Sequence, residues 1–360
     1  MKIYRYRPLT ELLFKELLYR ELYLASAEEL NDPLDLQGQL NFYSENADRV
    51  MALVRFISKR MILNLFLRGS VIEISRLFID TKNLFGYENF GKYIAAEFER
   101  IGNKVVTKND LYEILKRYCN KEISNSSFME EFGNSRLEEV FESLDELFAR
   151  FLNNSKVVCF SRSHTNFLMW SHYASGHNGV CLEFEVDIDP ENCNIGYLPM
   201  AIPAHMQLDN SIDPNKYQWK QKVRAVRYRK SLSKLDFYNF LPIFVNEGDI
   251  DLENLSKSYW HQFAHGIEDA FLQKLEPWSD EEEWRIVEVI FKAEMPEDNI
   301  WRFSEKSLTG IYFGAKTSKI VRNRVKNILD STKCNPIFYQ CKLDGTRGVR
   351  TELLQEGDEF

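Results

Sequence analysis

The spacing of apolar residues changes character along the chain, and the changes mark out its parts. Residues 2–6 predict a short first strand, after which Thr10 can cap a helix carrying Leu13, Leu17 and Leu18 at helical spacing. Residues 22–25 predict a second strand. Asn31, Asp32 and Pro33 then form a turn, because Asn and Asp bond their own backbone and Pro disfavours helix just before it. From about residue 44 to 153 the period is helical, with Val50, Leu53, Val54 and Ile57 on one face and Leu137, Val140, Phe141 and Leu144 on another. Gly86, Gly91, Gly102 and Gly133 punctuate this stretch.

Strand signals return at 156–160, 180–185, 195–198 and 223–228. A helical stretch over 231–275 follows, then strands at 283–291 and 308–313, a basic helix at 318–330 and a strand at 336–340. The pattern predicts an α+β fold with a mixed, mostly antiparallel sheet built from both ends of the chain. Residues 1–43 and 154–360 form the core, and 44–153 is a large helical insertion, suited to packing, gating or binding a protein partner.

A hydrophobic content of 44% over 360 residues supports a buried core. The net charge of −8 argues against broad attraction to nucleic acid or membrane. One basic stretch at 216–230, KYQWKQKVRAVRYRK, reads first as a solvated strand face. The cysteines at 119, 159, 181, 193, 334 and 341 make no C-x-x-C pair and suit buried free thiols in a reducing compartment. No apolar signal segment follows MKIYRYRPLT, and no run of about 18 uncharged apolar residues occurs, so a soluble cytoplasmic protein is expected.

Candidate chemistry concentrates at 157–185, VVCFSRSHTNFLMWSHYASGHNGVCLEFE, where titratable groups crowd between two strand-like runs. The spacing of His164, His172 and His177 does not fit a zinc site, since His172 and His177 straddle Gly176 and no partner Cys pair exists. No metal is expected. Ser163 and Thr165 read as helix caps, while Ser161, ending a strand, stays open as a site residue. At 274–287, KLEPWSDEEEWRIV, the carboxylates Glu281 and Glu283 share one face of a strand start, where mutual repulsion raises one pKa as a general base requires. An acidic loop paired with Arg285 is the bland alternative. Tyr4, Arg5 and Arg7 on the first strand offer a ring and two cations that suit a phosphate or carboxylate. Trp170, Trp278 and Trp284 suit either a flat ligand or the core.

In this order IYRYRPL, ELYLASAEELNDPLD, the 157–185 stretch, VRAVRY, KLEPWSDEEEWRIV and IYFGAKTS resemble the bacterial domain-of-unknown-function family 2971, over the whole chain apart from the helical insertion. The resemblance implies bacterial cytoplasmic proteins loosely linked with defence, and a site at Asn31, Asp32, Trp170, His172, Tyr173, Gly179, Glu281, Glu283, Trp284 and Arg285. A more remote similarity of element order, to ADP-ribosyltransferases, implies a nucleotide-type ligand, NAD. In that likeness Arg5 or Arg7 grips the pyrophosphate, Ser161 shapes the nicotinamide-ribose pocket, Tyr173 or Trp170 stacks the nicotinamide, and Glu283 is the catalytic acid of a transferase or NAD glycohydrolase. The alternatives are a non-catalytic ligand-sensing or protein-interaction module and, third, a nuclease.

Overall fold

A computed structural model describes residues 1–36, 39–66, 87–102, 104–122, 127–201, 219–246, 257–289, 299–345 and 348–355. Gly86, residues 216–218 of the basic stretch and the end of the 283–291 strand lie outside them. The chain divides into two compact units, one made of Met1–Leu36, Asn153–Ser231 and Phe271–Phe360, the other of Gln37–Leu152 and Leu232–Ala270.

The first unit is built on a sheet that has ten strands among the described residues. In chain order its elements include β1 (Lys2–Arg7), β2 (Glu21–Tyr23), β4 (Ser155–Ser161), β5 (Val180–Glu185), β6 (Asp187–Ile188), β7 (Ile195–Pro199), β8 (Lys220–Ala225) and β9 (Arg227–Arg229). β11 (Gln273–Leu275), β12 (Glu283–Val289), β13 (Ile300–Arg302), β14 (Leu308–Phe313), β15 (Ile337–Asp344) and β16 (Gly348–Leu353) follow. The sheet runs β16-β15-β14-β5-β1-β4-β12-β8-β7-β6. Only its β14–β15 pair is parallel among the described ladders, so the fold is the α+β class with a mostly antiparallel sheet drawn from both ends of the chain.

Both faces of the sheet are covered. Helix Glu11–Tyr19 lays Leu13 and Leu17, and helix Lys319–Asp330 lays Val325 and Leu329, into a cluster with Ile3, Phe160, Leu182, Phe184 and Ile286. The other face carries Tyr4, Tyr6, Cys181 and Tyr312, packed by Met169 and Trp170 of the short helix Phe167–Tyr173. Because side chains alternate across a strand, Arg5 and Arg7 face the first of these layers while Tyr4 and Tyr6 face the second.

Several predicted boundaries shift for identifiable reasons. The cap of helix Phe167–Tyr173 is Asn166, whose Oδ1 accepts from Met169 N at 3.1 Å; Ser163 and Thr165 instead bond each other in the preceding turn. The strand expected over 223–228 divides at Val226, because residues 220–225 ladder with β7 and β12 while 227–229 pair in parallel with β11. The strand expected at 336–340 runs on to Asp344 and is followed by β16, which pairs with it over its length.

The second unit contains helices Ala47–Phe66, Tyr87–Ile101, Lys108–Glu122, Ser127–Asn154, Phe237–Asn246 and Lys257–Phe271, with a two-strand parallel ladder of β3 (Leu40–Asn41) and β10 (Leu235–Asp236). Phe42, Phe90, Phe98, Phe237 and Phe240 are fully buried there. It thus gathers Leu232–Ala270 as well as the helical stretch that begins near residue 44. Among the described residues no helix is long and apolar enough to cross a membrane.

Candidate functional site

The centre of the sheet comes apart at one place. β1 pairs with β5 from Lys2 to Arg7, but with β4 at Tyr4↔Ser161 alone, because β4 turns away to follow β12 along its whole length. The edge that β4 exposes is met by other groups. Ala25 exchanges both backbone hydrogen bonds with Val157, and Arg5 donates from Nη1 to Cys159 O at 3.2 Å and from Nη2 to Tyr23 O at 3.5 Å. A gap in a ladder leaves room and polar backbone together.

A cavity of about 380 Å³ occupies this split, within the range usual for small-molecule sites. Residues from both faces of β1 line it, Arg5 and Arg7 among them, with Asn31, Cys159, Tyr173, Lys274, Glu281 and Glu283 on the opposite walls. Its apolar surface comes from rings and side chains such as Tyr23, Phe160 and Met169.

One end is cationic. Glu16, on the buried stripe of helix Glu11–Tyr19, serves two arginines: Arg5 Nε lies 2.8 Å from Oε1 and Arg7 Nε 2.6 Å from Oε2. Arg5 has every nitrogen engaged. Among the described residues the terminal nitrogens of Arg7 have no partner, so one positive charge is left over at this end. Burial, and then the neighbouring charge of Arg5, lower the Arg7 pKa, the direction expected of a cation lacking enough anions.

The other end is acidic and nearly closed. Arg285, fully buried, makes a fork with Asp35 at 2.8 and 2.5 Å and a second with Glu283 at 2.7 and 2.9 Å. Lys274 Nζ reaches Glu281 at 2.7 Å, Glu283 at 3.3 Å and Asp35 at 3.6 Å, and sits over the Trp278 ring. Three carboxylates therefore share two cations. Burial alone would raise the pKa of Glu283, but the charge and hydrogen bonds of Arg285, with Lys274, bring it down to about 2. Glu281 goes the other way: burial and the charge of Glu283 outweigh Lys274 and raise it above 4.5. The repulsion expected between the two glutamates is thus resolved by geometry, since Arg285 fixes the charge on Glu283 and leaves Glu281 with the higher proton affinity of the two.

Tyr173 completes this end. Its hydroxyl donates to Glu281 Oε1 at 2.6 Å and accepts from Asn31 Nδ2 at 2.8 Å. Burial and Glu281 raise its pKa, so it stays a neutral phenol.

The other expected site residues stand around the cavity rather than in it. Ser161 is fully buried; its hydroxyl donates to Glu281 O at 2.8 Å and accepts from Ser163 N, which fixes the backbone where Glu282 takes a left-handed φ of 46°. Trp170, also fully buried, donates to His164 O at 2.8 Å and packs edge-on against Tyr6 at 5.1 Å. It is a prop for β1 and presents no face to a ligand. Trp284 is in the core beside Phe160. Asp32 Oδ1 accepts from Leu34 N at 2.9 Å and shapes the turn that delivers Asp35. Gly179 lies against the Arg7 carbonyl and the Ala174 backbone so closely that any Cβ would collide; it lets β5 start beside the end of β1.

The histidines do not converge. His164 packs on Tyr4 and Tyr312, His172 is exposed, and His177 meets Ser171 at 3.3 Å. No group of three His, Cys, Asp or Glu residues placed to hold a metal occurs among the described residues.

Glu16, Asp35 and Lys274 were not singled out from the sequence. Glu16 had a readable signal, since it falls three residues after Leu13 and one before Leu17, on the apolar stripe of its helix. A carboxylate there needs a buried cation. Asp35 and Lys274 sit inside the quoted NDPLD and KLEPW segments, yet nothing local says that they meet Arg285 and Glu281.

A family model described as "Protein of unknown function (DUF2971)" matches residues 169–286, so over that stretch the chain is similar to this family. The match spans Trp170, His172, Tyr173, Gly179 and Glu281 to Arg285 and does not reach β1, Asn31 or Asp35. No curated protein and no solved structure matches the chain. The likeness to ADP-ribosyltransferases rests on element order alone.

Proposed function

We propose that the protein is an enzyme acting on a small nucleotide-type ligand, NAD first, in the split between β1 and β4, by ADP-ribosyl transfer or hydrolysis. The observation that carries this reading is the pairing, in one cavity, of a cation with open donors, Arg7, and a carboxylate with raised proton affinity, Glu281. Arg7 takes the anionic part of the ligand, because a half-buried guanidinium with open terminal donors gains from one more anion. Tyr173 and the cavity's other rings offer surface to the nicotinamide.

Glu281, rather than Glu283, is the working carboxylate. Both Glu283 oxygens are held by Arg285, and a group with a pKa of about 2 neither donates nor retains a proton near neutrality. Glu281 stabilises positive charge that develops on the ribose as the bond to nicotinamide breaks, and accepts the proton of the attacking hydroxyl. We place the protein in the cytoplasm, for which the free thiols at Cys159, Cys181, Cys193, Cys334 and Cys341 speak.

The test is calorimetric titration with NAD beside a nicotinamide-release assay, on the wild type and on Glu281→Gln. Binding in both, with release lost in Glu281→Gln, supports the enzyme. A folded protein that ignores millimolar NAD favours the non-catalytic sensing module instead, a reading that the self-satisfied Asp35–Arg285–Glu283–Lys274 cluster also suits.

A further inference from the structure

The two oxygens of Glu281 are not equivalent. Oε2 faces Lys274 at 2.7 Å, a cation held by three carboxylates and nearly out of contact with solvent. Oε1 faces the Tyr173 hydroxyl at 2.6 Å, and that hydroxyl also accepts from Asn31 Nδ2 at 2.8 Å, on the exposed side. A phenol oxygen has one proton to give and two lone pairs to fill. With Asn31 filling one lone pair, a single lone pair and a single proton remain, and Glu281 Oε1 takes one of the two.

We infer that Tyr173 is the group that exchanges protons with the ligand, and that Glu281 acts through it. This deepens the proposed reading and rests on it. In the resting arrangement the Tyr173 proton points at an ionised Glu281. As C1′ of the ribose loses its bond to nicotinamide, the electron pair of that bond leaves on the ring nitrogen and nicotinamide departs neutral. The attacking water or acceptor hydroxyl forms the new C1′–O bond and passes its proton to the open lone pair of Tyr173, while Tyr173 passes its own to Glu281 Oε1. One proton enters the phenol and one leaves, so the phenol is never charged. Lys274 and Asn31 are positioning residues: the first holds Oε2 so that Oε1 is the basic site, and the second pins the phenol oxygen between carboxylate and cavity.

The experiment compares full-length wild type, Tyr173→Phe, Glu281→Gln, the double variant and Asn31→Ala by nicotinamide release, with melting curves to confirm folding. Tyr173→Phe should lower kcat by about 100-fold with KM changed by no more than about threefold, and the double variant should be no worse than Glu281→Gln. Asn31→Ala, which frees the phenol without removing it, should lose about tenfold in kcat. Multiplying losses in the double variant, or an unchanged kcat in Tyr173→Phe, overturns the relay. A wild type without nicotinamide release sinks the NAD reading. The relay is then decided by NMR of 13C-labelled glutamate, in which the Glu281 carboxyl, faced by Lys274, Glu283 and Tyr173, should titrate at higher pH in Tyr173→Phe. An unmoved titration shows that hydroxyl and carboxyl share no proton and overturns it.

Discussion

Glu183 and Glu281 are both buried glutamates at the central sheet, each with a lysine and a tyrosine hydroxyl on its oxygens, and their proton affinities are shifted in opposite directions. Glu183, on β5, accepts from Lys2 at 2.6 Å, Thr309 at 2.8 Å and Tyr312 at 2.7 Å, and these bonds outweigh burial and lower its pKa. Glu281 receives Lys274 and Tyr173 at like distances, yet is raised. The difference lies beyond the hydrogen bonds. Lys2 answers chiefly to Glu183, whereas Lys274 is divided among Glu281, Glu283 and Asp35. At Glu281 the charge of Glu283 adds to burial and outweighs a divided Lys274, whereas no carboxylate is among the causes that set Glu183. The unshared carboxylate lines no part of the split cavity, and the shared one does.

The largest effect expected from disturbing this comparison is at Glu283, which fixes the imbalance. Glu283→Gln leaves Arg285 with the Asp35 carboxylate and the Phe271 carbonyl and breaks a buried network, at a cost of about 4 kcal/mol in urea unfolding. It should also free Lys274 for Glu281 and make Glu281 a stronger acid. A loss below about 1 kcal/mol would mean that Arg285 needs only one carboxylate. Glu183→Gln should cost less, about 2 kcal/mol, since Lys2 is half-exposed and water replaces part of its bond. Equal losses at the two positions would erase the distinction.

Much of this arrangement was legible along the chain, and the remainder for a physical reason was not. The strands at 180–185 and 308–313 fall where the periodicity put them, because each buries side chains that its own residues declare. The Glu281–Glu283 pair could be seen as two carboxylates forced together, but which one keeps the proton depends on Asp35, which lies about 250 positions from Arg285 and binds it. Trp170 and Ser161 read along the chain as ligand groups, and in the structure both are fully buried and donate to backbone carbonyls; a polar residue that pins a backbone carbonyl and one that meets a ligand have the same sequence signature. The break between β1 and β4 is equally silent, because it comes from β4 having two neighbours to follow and choosing β12.

Dependence on pH separates the two carboxylates further, by no more than about 1.4 kcal/mol per pH unit for a single group. Glu183 and Glu283 have lowered folded pKa values, so the stability they contribute is present above their unfolded value and is lost as pH falls through the folded one. For Glu283 this window runs from 4.5 down to about 2. Glu281 is raised, so its contribution is complete below 4.5 and is lost as pH rises through its folded pKa. Subtracting the stability of Glu281→Gln from that of wild type across pH 4–8 should therefore give a difference that falls with rising pH. A difference that rises would mean that the proton affinity of Glu281 is lowered by folding and not raised.

The smallest effect tests how tightly the Glu183 region is closed. A Cβ on Gly310 would lie 3.2 Å from Glu183 Cβ and from Oε1, closer than ordinary contact, and the φ of Gly310 is not in the left-handed region, so crowding is the whole penalty. The obstacle is a side chain fixed by Lys2, Thr309 and Tyr312. If these bonds hold Glu183 as firmly as its lowered pKa implies, it cannot move aside, and Gly310→Ala should cost about 1 kcal/mol. It should also weaken the Tyr312 bond and raise the Glu183 pKa toward its ordinary value. A neutral substitution would show a carboxylate able to shift by a few tenths of an ångström without loss, in which case its low pKa comes from the Lys2 charge and not from a rigid set of donors.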